Sequence, residues 1–395
     1  MARRKKLNTA LAISCAIIFS IFGVLLGFFG QIFLFGEAGY SYPETHNSTA
    51  SISVGNINVE TIKNEDLSIH FLELGNKYTG DCTFIKVGEN EILIDAGSRT
   101  SSIEPIHDYI TDYITDGELE YVIVTHAHRD HYAGFATEDS LFDALNESNI
   151  TIGNVIIFSN TNQDESKGLY KSFKEELIEL QYENSTIIEN VLAYCDESGT
   201  LKTIDLSGDG NIELEFLYQK FYEEEAETEN NYSVCCILNQ ENGTNDRHYL
   251  FTGDLEYTGE ESLIENNPDL PKVELYKAGH HGSKTSSSET LLNVIQPKHV
   301  CVCACAGSPE YTKKTQNQFP TQEFIDRIAL YTDSVYVTTL CVDYEKGEFQ
   351  SFNGNIIVSA SYGEATAISC AGSKLKLKES EWFKANRTCP PKWVS

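Results

Sequence analysis

The run Thr125-His-Ala-His-Arg-Asp-His131 places three imidazoles and a carboxylate within positions 126–131, in a chain with only 10 histidines in 395 residues. It directly follows the apolar, strand-like stretch Tyr121-Val-Ile-Val124. Imidazole nitrogen and carboxylate oxygen are common ligands of a catalytic zinc, which keeps one position open for water. A strand that stops in such a run offers two pairs of ligands on one turn, His126 with His128 and Asp130 with His131. The bland alternative is a polar loop that happens to be rich in histidine, and the local density argues against it. The chemistry to expect is hydrolysis, because metal-bound water loses its proton near pH 7. Two metals about 3.5–4 Å apart can share the resulting hydroxide and clamp both oxygens of a displacement.

Such ligands need strand ends to hold them. Apolar runs and alternation predict strands over 68–74, 82–87 and 91–95, then the metal strand ending at Thr125. Helical spacing follows at 103–114, 139–147 and 166–181, the last two separated by a strand at 154–158. Further strands are predicted over 212–217, 232–238 and 248–251. The last part alternates strand 273–277, helix 288–295, strand 299–304, helix 321–331 and strand 334–337. Pattern alone gives a mixed α/β fold. Cys301, Cys303 and Cys305 alternate on one strand and read as small buried core residues. Cys370 and Cys389 bracket the C-terminal stretch and are the best disulfide candidates.

The opening run resembles the HxHxDH signature of the metallo-β-lactamase superfamily, and three further motifs stand in that family's order. They are Leu93-Ile-Asp95-Ala-Gly97, Phe251-Thr-Gly-Asp254 and Lys277-Ala-Gly-His280-His-Gly-Ser283. The resemblance implies a four-layer αββα sandwich over residues 67–365, with 366–395 as a C-terminal tail. It implies two divalent metals, zinc first, with manganese or iron as alternatives. His126 and His128 would hold the first metal, Asp130, His131 and His280 the second, and Asp254 would bridge them. Asp95 would brace a ligand histidine from behind. Asp130 would also be catalytic, orienting the hydroxide and protonating the leaving group.

One expected ligand is missing. The superfamily provides a third histidine for the first metal, but the only histidine between His131 and Asp254 is His248, which reads as structural. The first site is then weak, or completed by a poorer ligand such as Asn231, and a one-metal enzyme is the alternative. His281 is expected to be catalytic, contacting substrate or protonating a leaving group. Ser283 and Lys284 are expected to contact an anionic group. The same stretch also reads as a helix start, with Ser287 or Ser288 as cap and Glu289 in the first turn. The two readings are compatible, since a helix N-terminus favours phosphate.

The segment Gly279–Ser288, with Val294-Ile-Gln-Pro-Lys298, looks like the extracellular domain of the ComEC family of DNA-uptake competence proteins. So does Phe71-Leu-Glu-Leu-Gly75 with Gly80-Asp-Cys-Thr83. The chain departs from that branch at His128, where an aspartate is common, and at Phe319-Pro320, where a His-Pro pair often stands. The complete HxHxDH, the doubled histidine and Asn230–Ser233 resemble the surface phosphorylcholine esterases of Gram-positive bacteria. Both likenesses imply a metal-dependent phosphodiesterase acting on nucleic acid or a wall-polymer phosphodiester. β-Lactam hydrolysis fits less well, given the missing histidine and the doubled one. The alternative is a degenerate surface module that binds metal and recognises wall polymer or DNA without turnover.

The N-terminal region bears on where this happens. Four basic residues, Arg3 to Lys6, precede a stretch without charge from Ala10 to Phe35, longer than the ~20 residues a membrane-crossing helix needs. The positive-inside tendency puts residues 1–9 in the cytoplasm and the domain outside, on a tether of residues 36–66. Without those four basic residues the chain holds 25 Lys+Arg against 59 Asp+Glu, a net charge of −34. That field opposes long polyanions and favours a small or exposed substituent as substrate. The membrane is the one partner expected besides the substrate, and the sequence points to no obligate protein partner.

Overall fold

The computed structural model describes residues 65–394 apart from Glu138 and Glu197. The expected cytoplasmic tail 1–9, the span 10–35 and nearly all of the linker lie outside these residues. Among them, no helix is long and apolar enough to cross a membrane.

The chain first lays down β1 (Leu67–Phe71), β2 (Thr83–Val87), β3 (Asn90–Ile94), α1 (Ile103–Thr111), β4 (Glu118–Val124) and α2 (Arg129–Tyr132). It continues with α3 (Leu141–Glu147), β5 (Thr151–Ile157), α4 (Gly168–Asn184), β6 (Ile187–Asn190), β7 (Thr203–Asp205) and β8 (Ile212–Leu217). Then come β9 (Cys235–Gln240), β10 (Arg247–Phe251), α5 (Tyr257–Asn266), β11 (Leu275–Lys277), α6 (Glu289–Ile295) and β12 (His299–Ala306). The last elements are α7 (Gln322–Ile328), β13 (Val335–Asp343), β14 (Glu348–Ser351), β15 (Ile356–Ala360), β16 (Ala367–Cys370) and α8 (Glu381–Asn386).

Among the described residues the strands form two eight-stranded mixed sheets, ordered β16-β15-β1-β2-β3-β4-β5-β6 and β14-β13-β12-β11-β10-β9-β8-β7. Each has a parallel core, β3 to β6 in the first sheet and β10 to β13 in the second. One face of the second sheet, with Leu214, Leu238, Tyr249, Leu275, Cys301 and Cys303, packs in the same apolar cluster as the first sheet. Its other face, with Leu250, Tyr276, Val300 and Val302, packs against Leu263, Leu292, Phe324 and Ile328 of the helices. Helices thus cover the outside of two facing sheets, a layering that suits strands buried on both faces.

Local sequence explains the helices that matter here. In α1, Ile103, Ile106 and Ile110 recur at helical spacing and all are buried. Ser288 caps α6 by accepting from the backbone N–H of Leu291, and Glu289 sits in its first turn.

Residues 366–394, set apart as a C-terminal tail, pack on the domain: β16 pairs with β15, while Leu377, Phe383 and Trp393 pack in the core of the second sheet. One expectation changes at this level. Cys370 and Cys389 are both free thiols, not a disulfide. Cys370 packs at the edge of the first cluster, whereas Cys389 is exposed beyond α8, which serves the second.

Candidate metal centre

The residues of the site follow the C-terminal ends of parallel strands in both sheets, where open α/β sheets place their ligands. β3 leads into Asp95 and β4 into Thr125 and the histidine run. Because β3 and β4 pair with Ile94 opposite Ile123, Asp95 lies beside Thr125. Its carboxylate accepts from the Thr125 backbone N–H and hydroxyl, both at 2.8 Å, and from His131 Nδ1 at 2.7 Å. The last bond aims His131 Nε2 the opposite way. The short α2 that carries Asp130 and His131 is pinned by its backbone: Asp81 N–H donates to Asp130 O (2.9 Å) and Ala96 N–H to His131 O (2.7 Å).

The second sheet supplies the other half. β10 ends at Phe251, and Gly253, at φ +53°, turns the chain so that Asp254 points inward. A Cβ on Gly253 would lie 2.8 Å from Ser233 Oγ and 3.1 Å from Thr125 Cβ, so a glycine is required there. β11 ends at Lys277, and His280 and His281 follow with left-handed φ values of +46° and +54°. Such backbone is costly for non-glycine residues and tends to mark functional sites.

The two halves meet in a buried cluster. His131 Nε2 is 3.2 Å and His281 Nε2 3.3 Å from Asp254 Oδ2, and His281 Nε2 is 3.3 Å from Asp130 Oδ2. His281 Nδ1 lies 2.9 Å from the carbonyl oxygen of Cys303. That oxygen can only accept, so Nδ1 carries a proton and Nε2 faces the carboxylates. Asp81 completes the group, ion-paired with the buried ammonium of Lys277, which also reaches Asp254 Oδ1 at 3.6 Å. Asp81, His131, Asp254 and His281 each offer one ligand atom, all within 4.8 Å of one another. His131 Nε2 and Asp254 Oδ1 are fully buried without a hydrogen-bond partner.

The electrostatics have one theme. Burial disfavours an imidazolium at His131, yet the carboxylates of Asp254 and Asp95 outweigh it and hold its pKa well above the usual value. His281 is raised in the same way, with Asp254 and Asp81 overcoming burial. His126 goes the other way, lowered by burial and by His131 and His128. Burial opposes ionisation of Asp130 as well, but His281 and His131 pull its pKa below the usual value. Four buried carboxylates (Asp81, Asp95, Asp130, Asp254) thus face one buried ammonium, and a field that favours a proton on imidazole also favours a divalent cation there. The donor set of imidazole nitrogens and carboxylates suits such a metal.

Of the residues singled out from the sequence, the structure brings Asp130, His131 and Asp254 together, and Asp95 accepts from His131 Nδ1. The two adjacent histidines differ from the expectation. His281 points its Nε2 into the cluster, whereas His280 Nε2 is 3.9 Å from Asp254 Oδ2 and its Nδ1 faces Thr285 Oγ1 (3.2 Å) and Glu256 (3.5 Å). The reason is the left-handed pair of residues, which turns one ring inward and leaves the other at the rim.

His126 and His128 face each other, Nε2 to Nδ1 at 3.0 Å, and the His126 ring lies 4.2 Å from that of His131. Asn231 does not complete the His126–His128 pair. Its Oδ1 accepts from the Glu256 N–H and its Nδ2 donates to Thr258. His248 lies on β10, bonded to Asn239 at 2.8 Å. Ser283 Oγ is 3.1 Å from Thr285 Oγ1, and Lys284 is exposed. Arg327 fixes this stretch by donating to the carbonyls of Lys284, Ser286 and Ser287. The sequence reading missed Asp81, Lys277 and Tyr311, whose hydroxyl donates to Asp130 Oδ2 at 2.5 Å.

Residues 75–153 match the family model of the metallo-beta-lactamase superfamily, a stretch that includes Asp81, Asp95 and the whole histidine run. With the two mixed sheets, this makes the fold metallo-β-lactamase-like. Among curated proteins the chain is similar to Recombination protein 2 of Haemophilus influenzae, 29% identical over 118 residues, which is 30% of this chain and 14% of that protein. It is also similar to ComE operon protein 3 of Bacillus subtilis, 39% identical over 56 residues, 14% of this chain and 7% of that protein. The chain therefore spans only a small part of either relative. Among solved structures it is similar to the metallo-beta-lactamase fold protein YhfI of Bacillus subtilis, with 12% identity and a TM-score of 0.40 over 69% of this chain and 95% of that one. A diiron β-hydroxylase of Streptomyces venezuelae, CmlA, gives 14% identity and a TM-score of 0.35, covering 67% and 47%.

Proposed function

We propose that the protein is a metal-dependent hydrolase of phosphodiesters, working outside the cell on a tether that begins with a membrane span at residues 10–35. The observation that carries this reading is the convergence of Asp130, His131, Asp254 and His281, with two buried ligand atoms left without hydrogen bonds. A divalent metal held there would acidify a bound water and neutralise charge developing on a phosphoryl oxygen. The chain's own groups have defined parts. Asp95 holds the His131 ring in the orientation a ligand needs, and the Cys303 carbonyl does so for His281. Lys277 offsets the charge of Asp81 and Asp254. Asp130 lies beside both histidines and is the group best placed to orient an attacking water.

The His126–His128 pair has no third histidine, and Asn231 is engaged elsewhere. One tightly held metal at His131, Asp254, His281 and Asp130 is therefore the working form we favour, with the pair as a weaker second site. The strongly acidic composition favours a small or surface-borne phosphodiester over long nucleic acid.

Purified protein should carry about one tightly bound divalent metal and turn over bis(4-nitrophenyl) phosphate. His131→Ala should lose both the metal and the turnover. A metal-loaded protein inactive on phosphodiesters, single-stranded DNA and phosphorylcholine esters alike would leave only a metal-binding module.

A further inference from the structure

The loop from Gly307 to Pro320, between β12 and α7, has its base closed by a hydrogen bond from the Gly307 N–H to the Phe319 carbonyl at 2.9 Å. From this loop Tyr311 reaches into the cluster and donates to Asp130 Oδ2 at 2.5 Å, a short contact of the charge-assisted kind. The same oxygen faces His281 Nε2. Tyr311 is 53% exposed overall, so burying its ring is not its main purpose. The ring leans on Phe319, centroids 5.6 Å apart, and Phe319 in turn faces His280 and His281 at 5.5 and 5.7 Å.

The neighbouring Glu310 fixes the loop from the other side. Its carboxylate accepts from Arg99 Nη2 at 2.7 Å and from the Thr79 backbone N–H at 3.1 Å. Thr79 lies two residues before Asp81, and Arg99 four after Asp95. The loop is thus clamped to both segments that carry the buried carboxylates of the first sheet. A merely structural loop could be held by Glu310 alone; the phenol on Asp130 needs another explanation.

We propose that Tyr311 is a positioning residue of the metal centre: its hydroxyl sets the orientation of the Asp130 carboxylate, and the Glu310 clamp sets Tyr311. This rests on the reading of the cluster as a metal centre, and deepens the hydrolase reading by assigning the group that aims Asp130.

Cobalt(II)-loaded wild type, Tyr311→Phe and Glu310→Gln test it, through the visible ligand-field bands of the metal and turnover of bis(4-nitrophenyl) phosphate. Tyr311→Phe should keep the cobalt content and Tm, shift the bands and lower kcat by about tenfold with little change in KM. Glu310→Gln should shift the bands the same way, by less. Bands of Tyr311→Phe that superimpose on wild type at equal cobalt content would overturn the proposal, as would a shift in Glu310→Gln alone. If the bands shift in both variants but even wild type hydrolyses no phosphodiester, the positioning role stands and the hydrolase reading falls.

Discussion

At adjacent positions, His280 and His281 share a side chain and a left-handed backbone, yet only His281 enters the cluster. What separates them is the partner of Nδ1: a main-chain carbonyl for His281, the Glu256 and Thr285 side chains at the rim for His280. His281→Ala should therefore remove most of the tightly bound metal, while His280→Ala should retain it, as read by metal analysis after gel filtration. Equal losses from the two variants would contradict this assignment. At this scale the histidine run, Asp95 and Asp254 were legible in the sequence, because ligand spacing and strand-end position are local signals. Which of two neighbouring histidines turns inward was not legible, since both take the same left-handed backbone and the partner of Nδ1, supplied by a distant strand, tells them apart. Asp81, Lys277 and Tyr311 carry no ligand spacing; they meet only because two sheets bring distant segments together. The one available signal for Asp81 was its place in Gly80-Asp-Cys-Thr83, a stretch already set apart by resemblance.

At the scale of elements, the strand ends do the positioning, and they rely on glycines at close approaches. Gly253→Ala would place a methyl against Ser233 and Thr125 at a positive φ. It should destabilise the protein by about 1–3 kcal/mol. Because Ser233 Oγ also accepts from the Asp254 N–H at 3.0 Å, metal affinity should fall with it. Urea unfolding and metal titration check both; an unchanged variant would mean the loop shifts freely. Most long elements were legible from periodicity, including β8 and α6 almost to the residue. The short edge strands β6 and β7 were missed, because Ile187–Asn190 and Thr203–Asp205 hold too few residues for a period. The α5 sequence Tyr-Thr-Gly-Glu-Glu-Ser-Leu-Ile-Glu-Asn hides its helix behind polar residues, and it is held by what Glu260 bonds, the Ser287 and Ser288 backbone among them. β15 had a signal in Ile356-Ile-Val, but its partner β1 lies at the other end of the domain.

Over the whole molecule, stability should depend on pH through groups far from the cluster. His70 on β1 is fully buried, bonded to Ser68 and Tyr109, and burial followed by Lys86 lowers its pKa to about 3. The unfolded chain takes up this proton near pH 6.5 and the folded one only near 3, so the contribution is present above 6.5 and is lost as pH falls toward 3. Between pH 7 and 5 the loss is about 2 kcal/mol. Urea unfolding of wild type and His70→Gln at the two pH values should show that much difference in slope, and parallel slopes would discount His70. The two-sheet design was only partly legible, since pattern gave mixed α/β and the layering came by resemblance. That design also has a consequence for the order of events in synthesis. The first sheet carries Asp95 and the histidine run, whereas Asp254 and His281 belong to the second. A chain emerging from the ribosome exposes His131 long before it has the Asp254 carboxylate that faces it. Stable uptake of a metal at the proposed centre would wait for the later half, so the finished fold, not the nascent motif, would choose the ion.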